Sequence, residues 1–385
     1  MRAIVLGAAG AVCRETTRDL ATRGSFDELV AADSRQAALG ELQEQLPGLH
    51  TLVLDVSDEQ ALRKAITGFD VVVNGLPFNF DMPVTRACVE AGVSGLDISS
   101  DEEQFELHEQ AAARGITFIP GVGATPGITN MAVARAAELL DQLETVDISF
   151  AAFRCLAPAP GLLATTLWEF DPEEPARQRV YFEDGSWQPA APLTGGLTVD
   201  FGGDIGRQIA CYVPHPEVVT LPRSFPGLRR VAVRGCFTPA VMTLMSSLLR
   251  AGLLSRSPIE LGGSRGPVKE FIRTLLAESP ELKHSELWAY GLVIDVSGKK
   301  DGRQASCHYR TRHPPAEVWG GASAYYKNVG LPLAIGAELV AGGLARGAGV
   351  LPPELGLPVE RFFQELAGRE ILVDETVTEE GELPA

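Results

Sequence analysis

An α/β chain built on a doubly wound parallel sheet is predicted by three features of the sequence. Short apolar runs alternate with helix-periodic segments over about the first 120 residues. A glycine turn follows the first run directly, and an aspartate closes the second. Residues 3–6 (Ala-Ile-Val-Leu) read as the first strand, and the segment that follows has helical spacing at Thr17, Leu20 and Ala21. Leu29 to Ala32 is the second strand, QAALGELQEQL a helix and TLVLDV (51–56) a third strand, with Ser57 expected to cap the helix after it. DVVVNGLP (70–77) is almost continuously apolar, as a strand covered on both faces must be. A helix over 83–92, the strand SGLDIS (94–99), a helix near 101–114 and the strand ITFIPG complete the series. Parallel strands joined this way require right-handed crossovers.

From about Pro126 the rhythm changes, which predicts a different domain. A helix from Thr129 to Leu143 leads into the strand ETVDISFAAF, a Gly/Pro-rich stretch over 155–226, and the strand RRVAVRGCF. Helices over 239–254 and 267–277 follow. ELWAYGLVIDV and RQASCHYRTR then flank GKKDG as two antiparallel strands, so an open mixed sheet is expected. Two helical segments end the chain. A stretch as long as 155–226 is expected to carry substrate contacts or a partner surface.

Composition excludes several classes. Thirty-three Lys plus Arg against fifty Asp plus Glu leave a net charge of -17, which repels phosphate backbones, so no nucleic-acid partner is expected. No apolar run reaches the roughly 20 residues of a bilayer span, so no membrane partner is expected either. The opening residues lack a leader pattern, and six scattered cysteines form neither a disulfide framework nor a zinc ribbon, which fits a reduced cytoplasm. No metal site is expected, since His308 and His313 lie five apart on a strand and face opposite sides.

The first turn, Gly7-Ala8-Ala9-Gly10-Ala11-Val12-Cys13, joins a strand to a helix, where backbone amides approach a pyrophosphate. Asp33, about twenty residues on, stands where a carboxylate accepts hydrogen bonds from the adenosine ribose. Gly7, Ala9, Gly10, Ala11, Val12, Asp33 and Ser34 are therefore expected to bind a dinucleotide. Asp33 disfavours a 2'-phosphate and points to NAD, whereas Arg35 could bind one and keeps NADP open. Asp55 and Val56 are expected beside the adenine, unless Asp55 serves only as a turn residue. Asn74, Leu76, Pro77 and Ser99 fall at strand ends, where such sheets bind ligands. Thr125, Pro126, Gly127 and Asn130 lie in a backbone-permissive junction that fits a substrate contact or a hinge.

Several acid/base groups remain. Amine oxidation needs a base to take the ammonium proton, and the candidates are Glu217, His215 and Asp97. His215 also reads as a solvated loop histidine, and Asp97 as a turn cap. Arg234 is a candidate for a substrate carboxylate or a surface salt bridge. Cys155 reads as a buried structural thiol. The Tyr/Lys pair of short-chain dehydrogenases and the G-x-S-x-G elbow are both absent.

The glycine turn, NGLPFNF (74–80), GLDIS (95–99), GVGATPGITN (121–130), HPEVVTLP (215–222) and GVLPPE (349–354) together resemble the saccharopine dehydrogenase/reductase and lysine 6-dehydrogenase family. The resemblance implies a Rossmann domain of residues 1–125 plus about 325–385. It also implies an inserted α+β domain over 126–324 that binds substrate and forms a homodimer. It implies an NAD(P)-dependent oxidoreductase acting at a C–N bond of an amino acid or amino-acid conjugate. Thr125 stands where saccharopine reductases carry aspartate and Phe78 where a tyrosine is expected, which argues against saccharopine as substrate, and the small uncharged residue at 125 draws the chain toward the lysine 6-dehydrogenase branch. A carboxynorspermidine-type condensation and a non-catalytic dinucleotide sensor are the alternatives.

Overall fold

The computed structural model describes residues 1–173 and 179–379. The part of the Gly/Pro-rich stretch at 174–178 lies outside the described residues, as does the last part of the C-terminal segment. The chain divides into two compact units, Met1–Leu140 with Tyr326–Val373, and Asp141–Tyr325 with the segment from Asp374 on.

The first unit is the parallel sheet. Its strands are β1 (Arg2–Leu6), β2 (Glu28–Asp33), β3 (His50–Val53), β4 (Val71–Asn74), β5 (Ser94–Asp97) and β6 (Thr117–Ile119). The seventh strand, Gly349–Val350, pairs in parallel with β6, and the order across the sheet is Gly349–Val350, β6, β5, β4, β1, β2, β3. The order reverses direction between β1 and β4, and such a switch point opens a crevice at the strands' carboxyl ends. Ala3–Leu6 and Val71–Val73 are wholly buried, which explains why both read as unbroken apolar runs. The crossover helices are α1 (Ala11–Arg23), α2 (Gln36–Gln45), α3 (Glu59–Ile66), α4 (Asp81–Ala91) and α5 (His108–Ala113), and α6 (Ile128–Leu139) follows β6.

Two local expectations are corrected. The third strand stops at Val53, so Asp55 and Val56 lie beyond it in a turn. Asp58, not Ser57, caps α3, its carboxylate accepting from the amides of Gln60 and Ala61. Ser57 instead donates its amide and hydroxyl to Asp55.

The second unit is a nine-stranded mixed sheet. Its strands are β7 (Gln142–Phe153), β8 (Val180–Glu183), β9 (Ser186–Pro189), β10 (Leu197–Asp200), β11 (Arg207–Tyr212) and β12 (Arg230–Phe237). The hairpin β13 (Pro258–Leu261) and β14 (Ser264–Pro267) stands apart from that sheet, and β15 (Ala289–Lys300) and β16 (Arg303–Arg312) are its long antiparallel pair. The main path runs β10, β11, β12, β7, β15, β16, Leu372–Glu379, with β8 on β12 and β9 on β8. Only β12 and β7 pair in parallel among the registers of β7, β8, β10, β11, β12 and β15. The stretch over 155–226 is no plain loop: it holds α7 (Pro160–Glu169), β8 to β11 and α8 (Glu217–Ser224). Short strands broken by Gly and Pro hid this, because none is long enough to show a period of two.

In the first unit the C-terminal segment is locked by a buried guanidinium. Arg369 places Nε 2.8 Å from Asp19, Nη2 2.7 Å from Glu338 and Nη1 2.8 Å from Glu365. Its removal would leave three carboxylates facing one another. Arg369→Ala is therefore expected to cost about 3 kcal/mol or more of stability, read from urea unfolding followed by circular dichroism.

Candidate functional site

The turn from β1 into α1 sets the geometry at the switch point. Gly7 has φ +72°, and a Cβ there would lie 3.1 Å from Leu76 Cδ2 and 3.2 Å from the Gly75 carbonyl. Gly10, the residue before α1, offers no side chain to its first-turn amides, and that turn contains no acidic group. The amides are thus left for an anion, which the helix dipole also favours. Cys13 fills the position of the usual third glycine. The close packing survives because the missing side chain has moved to the other partner: a Cβ on Gly75 would fall 1.7 Å from Cys13 Sγ. These residues fit a pyrophosphate in the way that the glycine fingerprint requires.

Asp33 closes β2 beside this turn. Its Oδ2 accepts from the Ala9 amide at 3.2 Å, and Arg35 donates to it through its amide, Nε and Nη2. Burial pushes the Asp33 carboxyl upward, but these hydrogen bonds and the Arg35 charge hold it below its ordinary value on balance. Ser34 follows directly and is exposed. Asp55 accepts from Ser57 and is exposed, so its visible part is that of a turn residue.

At the ends of β4 and β5 lies a buried acid pair. Asp97 Oδ2 accepts from Asn74 Nδ2 at 2.7 Å and Gln104 Nε2 at 3.3 Å, and Oδ1 accepts from the Ser99 amide at 3.1 Å. Those bonds tie Asp97 to the protein's own donors and align the strand ends. Asn74 Oδ1 in turn accepts from the Leu76 amide, and Pro77 follows in the same loop. Asp81, which sequence reasoning missed, is also buried, with both oxygens 2.9 Å from Ser99 Oγ. One hydroxyl carries one proton and cannot donate to both acids. Burial raises the pKa of each, and for Asp81 the neighbouring Asp97 charge raises it further.

The 121–130 element closes on itself. Gly123 and Gly127 form a parallel bridge, and a Cβ on Gly127, at φ +126°, would collide with the Gly123 backbone. Asn130 Oδ1 accepts from the Gly127 amide, and its Nδ2 donates to buried Glu354 at 2.8 Å. The two motifs GVGATPGITN and GVLPPE therefore meet through Asn130 and Glu354. Asn130, expected to touch substrate, spends both ends of its amide on the fold. Thr125 and Pro126 flank the same turn.

The second unit holds the remaining candidates. His215 and Glu217 are not in an exposed loop: Glu217 opens α8 and is fully buried, and His215 is nearly so, with Nδ1 3.4 Å from Glu217 Oε2. Burial lowers the His215 pKa, but the Glu217 hydrogen bond and charge outweigh it and raise it overall. A chain of aromatic rings leads from His215, with Phe150 5.2 Å from the His215 ring, Tyr290 stacked 6.2 Å from Phe150, and Tyr325 5.4 Å from Tyr290. Arg234 is corrected on both counts. It is buried, and it donates to Asp147 at 2.6 Å, the Gly195 carbonyl at 2.8 Å and Tyr212 at 3.2 Å, leaving neither a surface bridge nor a free fork. Cys155 is buried and its thiol is pushed up by that burial, as a structural cysteine requires.

Residues 3–119 match the saccharopine dehydrogenase NADP binding domain and residues 123–371 the saccharopine dehydrogenase C-terminal domain. The chain belongs to the saccharopine dehydrogenase family. It is similar to the carboxyaminopropylagmatine dehydrogenase of Synechocystis, 26% identical with 92% of each chain covered. It is 25% identical to the carboxynorspermidine synthase of Vibrio alginolyticus over 74% of this chain and 72% of that one. The yeast saccharopine dehydrogenase (L-Glu forming) structure has the same fold, with a TM-score of 0.71, 17% identity, and 98% and 99% of the two chains covered. As a family member the chain is an NAD(P)-dependent oxidoreductase. The bound nucleotide would be held by the 7–12 turn and Asp33. Among the described residues, no helix is long and apolar enough to cross a membrane and no cluster could hold a metal.

The Asp81–Asp97 pair gives a stability prediction. A carboxyl whose folded pKa is raised contributes fully below the ordinary carboxylate range, and that contribution is lost as pH climbs through the raised value. The wild type should therefore lose more thermal stability between about pH 5 and about pH 9 than Asp81→Asn, which keeps only the part due to Asp97 near pH 6. Parallel melting curves at the two pH values would test this, and equal slopes for both proteins would refute it.

Proposed function

We propose that the chain reduces the imine formed between a polyamine-type amine and an α-amino-acid semialdehyde, making a carboxylate-bearing secondary amine. The observation that carries this reading is the match over 92% of both chains to an enzyme named for carboxyaminopropylagmatine, an agmatine extended through a C–N bond. The carboxynorspermidine synthases support it, being named for a carboxylated polyamine. Uncharged Thr125 in place of the aspartate of saccharopine reductases agrees with a substrate other than saccharopine.

The first unit serves as the nucleotide-binding domain and the second as the substrate domain, within a cytoplasmic homodimer. When bound, the reduced nicotinamide supplies the hydride. The chain's own residues manage protons. The amine must lose a proton before its lone pair attacks the aldehyde carbon, and the His215–Glu217 pair accepts it, Glu217 stabilising the imidazolium that forms. Asp97 acts through Asn74 and Ser99, as a positioning group for the loops at the nicotinamide end of the sheet. Thr125, Pro126 and Gly127 face substrate with backbone groups.

The test is nicotinamide absorbance with agmatine or a diamine plus an α-amino-acid semialdehyde, against lysine or saccharopine with oxidised cofactor. Turnover with the amine and aldehyde together, and not with either alone, is expected. Oxidation of lysine alone would replace this reading with lysine 6-dehydrogenase, and cofactor binding without turnover would favour a sensor.

NADPH is the proposed cofactor. Arg35 neutralises Asp33 and its side chain remains 58% exposed, so it is placed to meet a 2'-phosphate. Arg35→Ala should raise the KM for NADPH about tenfold, a loss of roughly 1.4 kcal/mol, and change that for NADH by less than about threefold. Equal effects on both cofactors would count against the assignment.

A further inference from the structure

Joining an amine to an aldehyde needs more than one proton transfer. The incoming ammonium loses a proton before the C–N bond forms. The resulting carbinolamine must then expel its hydroxyl, and hydroxide is too poor a leaving group without a proton delivered to it. The His215–Glu217 pair accounts for the first event only. A second titrating group is required, and it must be held dry and without a fixed partner.

Glu169, the last residue of α7, has those properties. It is buried at 6% exposure, yet among the described residues its Oε2 has no hydrogen-bond partner, whereas buried carboxylates are ordinarily satisfied. It sits in the field of His215, Arg154 and Arg179, and Tyr290 feels both Glu169 and Glu217. Among the described residues, no hydrogen bond joins either guanidinium to the Glu169 carboxylate, although both charges pull its pKa down and each Nε is itself buried without a partner. Arg154 spends Nη1 and Nη2 on the carbonyls of Cys155, Leu156 and Leu162 and on the Thr166 hydroxyl, lying over the rings of Phe237 and Tyr325. Arg179 donates its terminal nitrogens to the carbonyls of Trp168 and Glu169 itself. Next to Glu169, the Phe170 ring lies 5.9 Å from Phe237, and Phe237 lies 6.5 Å edge-on from Phe150, the ring that packs on His215.

We infer that Glu169 is the general acid that protonates the departing hydroxyl of the carbinolamine. The inference rests on the imine-forming reading above. The ammonium proton passes to His215, paired with Glu217, and attack of the freed amine on the aldehyde leaves an N–H⁺ and an alkoxide, between which one proton moves to give the neutral carbinolamine. Glu169, entering in its acid form, delivers its proton to the hydroxyl as the C–O bond breaks, with the C–O electron pair leaving on water, and the resulting carboxylate is reprotonated by the His215 imidazolium. The nitrogen lone pair closes the C=N bond. One ammonium and one aldehyde thus give one iminium and one water, with charge conserved, and hydride addition to the iminium carbon gives the secondary amine.

Burial places Glu169 at about 7, against the lowering pull of His215, Arg154 and Arg179, so both protonation states are accessible near neutrality. The acid form predominates below that value. Condensation should therefore slow as pH rises through about 7, provided that His215, Glu217 and Tyr290 keep their states.

The experiment compares wild type, Glu169→Gln and Glu169→Asp in steady-state reduction of agmatine plus an α-amino-acid semialdehyde, using NADPH and its 4-deuterated form. NADPH affinity and melting temperature serve as folding controls. For Glu169→Gln, kcat should fall about 100-fold, with NADPH affinity unchanged. The alkaline limb near pH 7 should vanish and the deuterium isotope effect should shrink toward one, because water loss becomes limiting. Glu169→Asp should recover part of the rate and the limb. Wild-type kcat with an intact limb in Glu169→Gln would overturn the role while leaving the imine-forming reading standing. Absence of turnover in the wild type would overturn both.

Discussion

The fold at the switch point depends on a near-absence of side chains where β1 turns into α1. Gly7 needs a left-handed backbone, Gly10 must approach the Gly7 carbonyl, and Gly75 must let Cys13 through. With those three positions bare, α1 presents uncapped amides at the carboxyl edge of the sheet, beside Asp33 and the end of β4. A methyl group at any of them would push the helix away from the strands, and the anion-binding geometry would go with it. The Cys13–Gly75 exchange shows that the fingerprint is a spacing requirement between two surfaces, which either surface can satisfy.

Burial of ionisable groups is the second organising theme, and it divides the two units by purpose. In the first unit Arg369 and the Asn130–Glu354 contact spend every charge or amide on structure. In the second unit Arg234 does likewise, held by the Gly195 carbonyl, Asp147 and Tyr212, and Arg154 spends its two terminal nitrogens on carbonyls and the Thr166 hydroxyl. Glu169 differs in kind, an acid buried with one oxygen lacking a hydrogen-bond partner among the described residues. A charge left without a partner costs stability, and proteins tolerate such costs where chemistry needs them.

Much of the first unit was legible because its strands are either wholly buried or end at glycine. Val71–Val73 gives an unbroken apolar run, and Asp33 announces itself by position after the turn. The second unit was legible in its long elements, the strands β7, β12, β15 and β16 of 8 to 12 residues and the helices Pro239–Arg250 and Val268–Glu278. Strands of four residues such as β8 to β10 carry too little pattern, and the 258–267 hairpin has the same weakness. The site residues divide similarly. His215 and Glu217 were found by type, but their burial was not, since a proline-flanked histidine looks the same in water. Asp81 and Glu169 were missed because nothing local distinguishes a buried acid at a helix end from an exposed one. Arg234 was misjudged for the converse reason, since its partner Asp147 is 87 residues away.

The chain leaves the first unit after Leu140, returns at Tyr326 and leaves again at Val373. The strand Gly349–Val350, at the edge of the parallel sheet, pairs with β6, and the gap in sequence between them exceeds the whole inserted unit. During synthesis β1 to β6 therefore emerge from the ribosome long before the segment that finishes their sheet. The half-built sheet must wait with one flank open, its β6 edge unpaired, which is the period when non-native strand pairing and chaperone capture compete hardest with folding.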